Sequence, residues 1–143
     1  KDGNIKWEEN MKNLIATVGL NHILDVQFHA TTQVTAWYIG LKAAGSAAAG
    51  DTMASHSGWA ELTGYAGNRK EWTEGAASSG SMTNSSSVDF AVNATATVAG
   101  AFLNTAATGT GGTLYGVVDF SSARSVIDGD TLQVTVTVTA ASA

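Results

Sequence analysis

Residues 128–138, DGDTLQVTVTV, carry the pattern that most restricts the fold. Leu132, Val134, Val136 and Val138 alternate with Thr131, Gln133, Thr135 and Thr137, the two-residue period of a strand with one face in a core and the other toward water. β-Branched side chains at most of these positions fit a pleated surface and lose rotamer freedom in a helix. Asp128 and Gly129 supply the turn that leads in. Such a strand needs partners, and the chain provides them. In SVDFAVN, residues 87–93, Val88, Phe90 and Val92 alternate with Asp89, Ala91 and Asn93. TLYGVVDF (113–120) and TAWYIGL (35–41) are further β runs, the second with Trp37, Ile39 and Leu41 on one face, and WAELTGY (59–65) is another candidate.

Composition limits how these strands are held. The chain has 143 residues, enough for one domain with a sizeable core, and contains neither Pro nor Cys. Disulfides, thiolate metal sites and a Cys nucleophile are therefore excluded. The net charge of −5 sets nucleic-acid binding at an electrostatic disadvantage. Lys1, Lys6 and Lys12 form no basic stripe, being interleaved with Asp2, Glu8 and Glu9. No apolar run approaches membrane-spanning length, and no signal-peptide pattern is seen, so a protein made in a cytoplasm and used as a soluble or assembled component is expected.

One segment reads as a helix. In NIKWEENMKNLIATV, residues 4–18, Ile5, Met11, Leu14, Ile15 and Val18 recur at helical spacing with Trp7 beside them. Asn4 can cap it, Glu8 and Glu9 lie toward its favourable end, and Gly19 is a C-terminal stop. LNHILDVQF, residues 20–28, fits a short helix or a strand. The expected fold is mainly β: a single β-sandwich or jelly-roll-like domain over 20–143, preceded by a helical arm over 1–19.

The most chemical-looking window is GDTMASHSGW, residues 50–59, with Asp51, Ser55, His56 and Ser57. Neighbouring side chains diverge, so Ser55, His56 and Ser57 cannot aim at one another as nucleophile and base, and the G-x-S-x-G elbow is absent. Asp51 reads as a turn or cap residue bonding nearby amides. His22, Asp25 and His29 would share a helical face but match no metal motif. Asp128 and Asp130 form a turn short of calcium's six to eight oxygens. The Asn84 and Asn93 sequons arise easily in so Ser/Thr-rich a chain. Trp37, Tyr38, Trp59, Tyr65 and Trp72 surround the long small-residue stretch after residue 41, and core or interface use is favoured over a sugar platform. No catalytic residue, metal or cofactor is expected.

Taken together, WYIGL, GDTMASHSGWAELTGY and the closing GDTLQVTVTV resemble a family of small proteins encoded in tailed-bacteriophage genomes, over roughly residues 20–139. The resemblance implies a virion structural component and makes the loop with Asp51, Ser55, His56 and Trp59 a structural element. It leads to the expectation of a capsid decoration or cement protein on the outer capsid surface. That protein would self-associate as a dimer or trimer and clamp the major capsid protein, with no nucleic-acid or membrane partner. Contact candidates are Trp7, Met11, Leu14 and Ile15 on the arm, and Trp37, Asp51, His56, Trp59, Tyr65 and Trp72 around the loop. The alternative is a tail or fibre-associated protein whose aromatic loop meets a cell-surface glycan. A cell-wall hydrolase, in which His56→Ala would abolish activity, is the third reading.

Overall fold

The computed structural model describes residues 7–9, 11 and 13–140. Its alternating segments assemble into two antiparallel layers. The larger sheet holds β1 (Leu14–Ile15), β2 (Tyr38–Gly45), β3 (Trp59–Leu62), β4 (Lys70–Glu71), β7 (Ala96–Asn104) and β8 (Leu114–Val126). Its order is β1-β8-β7-β2-β3, with β4 pairing the start of β2. The second layer is a narrow ribbon in two pieces: β5 (Ser81–Thr83) pairs with β10 (Thr137–Thr139), and β6 (Val88–Ala91) with β9 (Thr131–Val134). This is the mainly β, sandwich-like architecture expected from the alternation.

The main core lies between the layers. Ile39 and Leu41 from β2, Leu103 from β7 and Tyr115 from β8 meet Val88, Phe90 and Leu132 from the ribbon. Phe90 is fully buried, and burial of a side chain of that kind is worth about 1.5–3 kcal/mol. A smaller cluster of Ala16, Met53, Trp59, Phe102, Leu114 and Val117 forms on the other face of the sheet. Strand alternation explains the split, because Phe102 lies between Ala101 and Leu103, which point to the main core. Tyr115 reaches that core by a bulge: Leu103 pairs with Gly116 and Asn104 with Leu114, leaving Tyr115 as an extra residue on β8.

The helix is not where the 4–18 spacing put it. The helix α1 spans Thr17–Phe28, while Leu14 and Ile15 pair with Val117 and Gly116 as an edge strand. Residues 1–6, 10 and 12 lie outside the described residues, so that expectation is overturned on the described part of 7–15. Cross-strand pairing of Leu14 and Ile15 outweighs local helix propensity there. Trp7 packs against Phe120, the Arg124 guanidinium lies 4.7 Å above its ring, and Glu9 pairs with Arg124 at 3.0 Å. Trp7, Glu9, Leu14 and Ile15 therefore pack on their own chain.

Gly19, read as a stop, sits inside α1 as its contact point. A Cβ there would come within 2.3 Å of the Tyr115 carbonyl oxygen, so only glycine lets the helix approach the sheet this closely. The helix ends where Ala30 turns to φ 55 and Thr31 donates back to the Asp25 carbonyl at 3.2 Å. Among the described residues no helix is long and apolar enough to cross a membrane.

Candidate functional site

The loop that leads into β3 ties itself together with its own polar residues. Asp51 Oδ2 accepts from the Ala48 amide at 2.9 Å and from the Trp59 indole at 2.9 Å. Thr52 Oγ1 accepts from the Ser55 amide, and His56 Nδ1 lies 3.1 Å from the Trp59 carbonyl oxygen. Asp51 thus bonds an amide behind it as well as a ring eight residues ahead, a longer reach than a local cap. Met53, 1 % exposed, anchors the loop in the back cluster.

The aromatic side chains of this region stack inward. The His56 ring lies on Trp59 at 4.1 Å, Trp59 meets Phe102 at 5.2 Å, and the Arg69 guanidinium stands 5.3 Å from the Phe102 ring centre. Phe102 can lie there because its register partner is Gly40, where a Cβ would fall 2.2 Å from the ring. Arg69 is buried and closes the column. It forks onto both carboxylate oxygens of Glu61 at 2.8 and 2.6 Å, and donates to the carbonyls of Ala106 and Gly109. Such a bidentate pair fixes geometry as well as charge. Beneath the sheet, buried Lys42 reaches Asp119 at 2.6 Å and donates to the Gly45 carbonyl.

Trp72 and Tyr65 belong to the main core. Tyr65 meets Phe90 edge-on at 4.8 Å, and burial together with the nearby Glu61 charge pushes its phenol up to about 12. The Trp72 indole donates to Asn84 Oδ1 at 2.7 Å. Asn84, read only as a chance sequon, joins the ribbon: its Oδ1 also accepts from the Val136 amide at 2.8 Å, and its Nδ2 donates to the Val134 carbonyl at 3.1 Å. Its side chain takes over the hydrogen bonds where the ladder breaks between β9 and β10. The sequence carries no signal for this role, because the partner strand lies about fifty residues further on and keeps its alternation through the break.

The other candidates are dispersed. Trp37 packs edge-on against both His22 and Tyr115, each at 5.7 Å. His29 pairs with Asp25 at 3.5 Å on the exposed side of α1, so His22, Asp25 and His29 do not converge. Among the described residues no group of three or more possible metal ligands forms. Asp130 Oδ2 accepts from the Ile127 amide in the turn, with Gly129 at φ 81. Trp7 and Met11 line a groove of about 210 Å³ with Tyr115, Val134 and Val136. Leu14 is 39 % exposed beside half-buried Ile15.

The comparison with known families makes this antiparallel sandwich, with its loop bound up in internal ties, that of a bacteriophage virion structural protein. The chain belongs to the family described as podophage GP4 fiber I protein gp80, whose model matches residues 10–141. The match takes in both layers, α1 and the loop. No curated protein matches the chain. The family is described by a fibre protein, so the capsid-cement expectation loses ground to the fibre alternative.

Proposed function

We propose that the chain is a structural component of a podophage fibre, holding a place in the tail assembly by shape and surface contact. The observation that carries this reading is the family match over residues 10–141, which covers nearly the whole fold. The geometry is compatible with it: Asp51, His56, Glu61 and Arg69 are engaged in positioning backbone and rings. Glycan stacking on the aromatic loop is not part of the proposal. Trp59 is 5 % exposed, with His56 and Phe102 packed against it, so a sugar ring finds no open face on this indole.

Quantitative mass spectrometry of purified particles tests the assignment. The expected copy number is far below that of the major capsid protein, with antibody-gold labelling confined to the tail. A ratio near one, or a simple fraction of the capsid subunits, would overturn it in favour of a capsid-wide cement.

A further inference from the structure

Helix α1 carries apolar side chains on two opposite faces and so lacks the polar outer face of an ordinary surface helix. Gly19 and Ala16, at its start, sit against β8, and Val18 and His22 pack toward the domain. The opposite side presents Leu20 at 46 %, Ile23 at 42 %, Leu24 at 55 % and Phe28 at 80 % exposure. Of the six large apolar side chains exposed among the described residues, these four share one twelve-residue helix, so they form a patch and not a scatter. Residues 29–33 that follow are exposed as well, and of the last six residues of α1 only Val26 is half-buried.

We infer that this face is an interface between copies of the chain, α1 packing on α1 of a second copy. Three properties select that occupant. The first is charge: Asp25 and His22 are the only ionisable side chains of the helix, so the Leu20–Leu24–Phe28 side itself carries no charge. In a chain of net charge −5 this is a nearly neutral face, on which two like copies meet without repulsion and a charged partner finds nothing to pair with. The second is shape. Leu20, Leu24 and Phe28 form a ridge at intervals of four, and such ridges interdigitate with their own kind at a crossing near −50°. A twofold axis close to Leu24 makes the contact self-complementary, with Ile23 beside the ridge. The third is area. The four side chains leave about 400 Å² of apolar surface per copy, so pairing removes about 800 Å² from water. Exposed Asn21, Gln27 and Thr31 at the rim bring the total to about 1,000 Å², where specific association begins. The inference stands on the helix alone and holds for any position in the virion.

Light scattering on the purified full chain at tens of micromolar tests it. The wild type is expected at twice the monomer mass, and Leu24→Asp at the monomer mass, with self-association weakened at least about 100-fold. Leu24 belongs to neither core cluster, so circular dichroism and melting of the monomer should be retained. Because the chain has no Cys, Leu24→Cys introduces a single thiol, which should give a disulfide-linked dimer under mild oxidation far faster than Ser86→Cys on the exposed ribbon. A monomeric wild type overturns the inference. So does an unchanged mass for Leu24→Asp, or equal cross-linking of the two cysteine variants.

Discussion

Replacing Asn84 by Ala should destabilise the fold out of proportion to the small side chain removed. Three hydrogen bonds end on this amide: those from the Trp72 indole and the Val136 amide, and that to the Val134 carbonyl. A net value of about 0.5–1.5 kcal/mol each gives roughly 2–4 kcal/mol. The Trp72 indole adds to this, because Trp72 is 4 % exposed and its N–H would be left buried without an acceptor, at about 1–3 kcal/mol. Allowing for relaxation, the expected cost is about 3 kcal/mol, a fall in Tm of roughly 10 °C for a domain of this size. Urea unfolding followed by circular dichroism measures it. The indole share is isolated by a double-mutant cycle with Trp72→Phe, in which Asn84→Ala should cost about 1 kcal/mol less once no N–H remains to be stranded. A loss below about 1 kcal/mol for Asn84→Ala, or full additivity in the cycle, would refute the view that this residue joins the two halves of the ribbon.

Two further perturbations probe other ties. Arg69→Lys should cost about 2–4 kcal/mol, since one ammonium cannot replace a fork onto Glu61 plus two carbonyl contacts, and amide exchange should speed up in residues 105–113. The Glu9 carboxyl is held below the ordinary 4.5, first by hydrogen bonding at Ser121 and then by Arg124. Its stabilisation is complete above that value and is lost as the pH falls through the lowered one, so protection of the Ser121 amide relative to its intrinsic exchange rate should fall in acid, and Glu9→Gln should remove that pH dependence of protection.

The strands were legible where one side chain in two is buried. Val88, Phe90 and Val92 are buried between exposed Asp89, Ala91 and Asn93, as their alternation required. Ile39 and Leu41 likewise share the main core, with Trp37 partly buried against it. The break in the last strand was not legible, because Val134 and Val136 keep their alternation through it while the Asn84 side chain replaces the ladder. The N-terminal helix failed for a related reason. Leu14 and Ile15 satisfy a helical period and a strand equally, and the choice was made by β8, about a hundred residues away. LNHILDVQF is helical within an α1 that begins at Thr17, and the missing Cβ of Gly19 allows that helix its contact with Tyr115. As for the loop, its polar letters announced that it was special, but only Asp51 reaching Trp59 reveals to what end.

The ribbon that covers Phe90 has a consequence for how the chain is made. Phe90 belongs to β6, yet its cross-strand partner Leu132 belongs to β9. At about 5–20 residues per second, translation takes roughly 2–8 s to travel between them, and for that time the nascent chain carries an apolar strand with no lid. Pairings this distant in sequence place the chain among slow, millisecond-to-second folders. One customary delay is missing, however: without proline, refolding has no prolyl isomerisation to wait for. The exposed interval is thus set by the ribosome, and slowing synthesis between β6 and β9 should lower the yield of native protein far more than slowing it before β2.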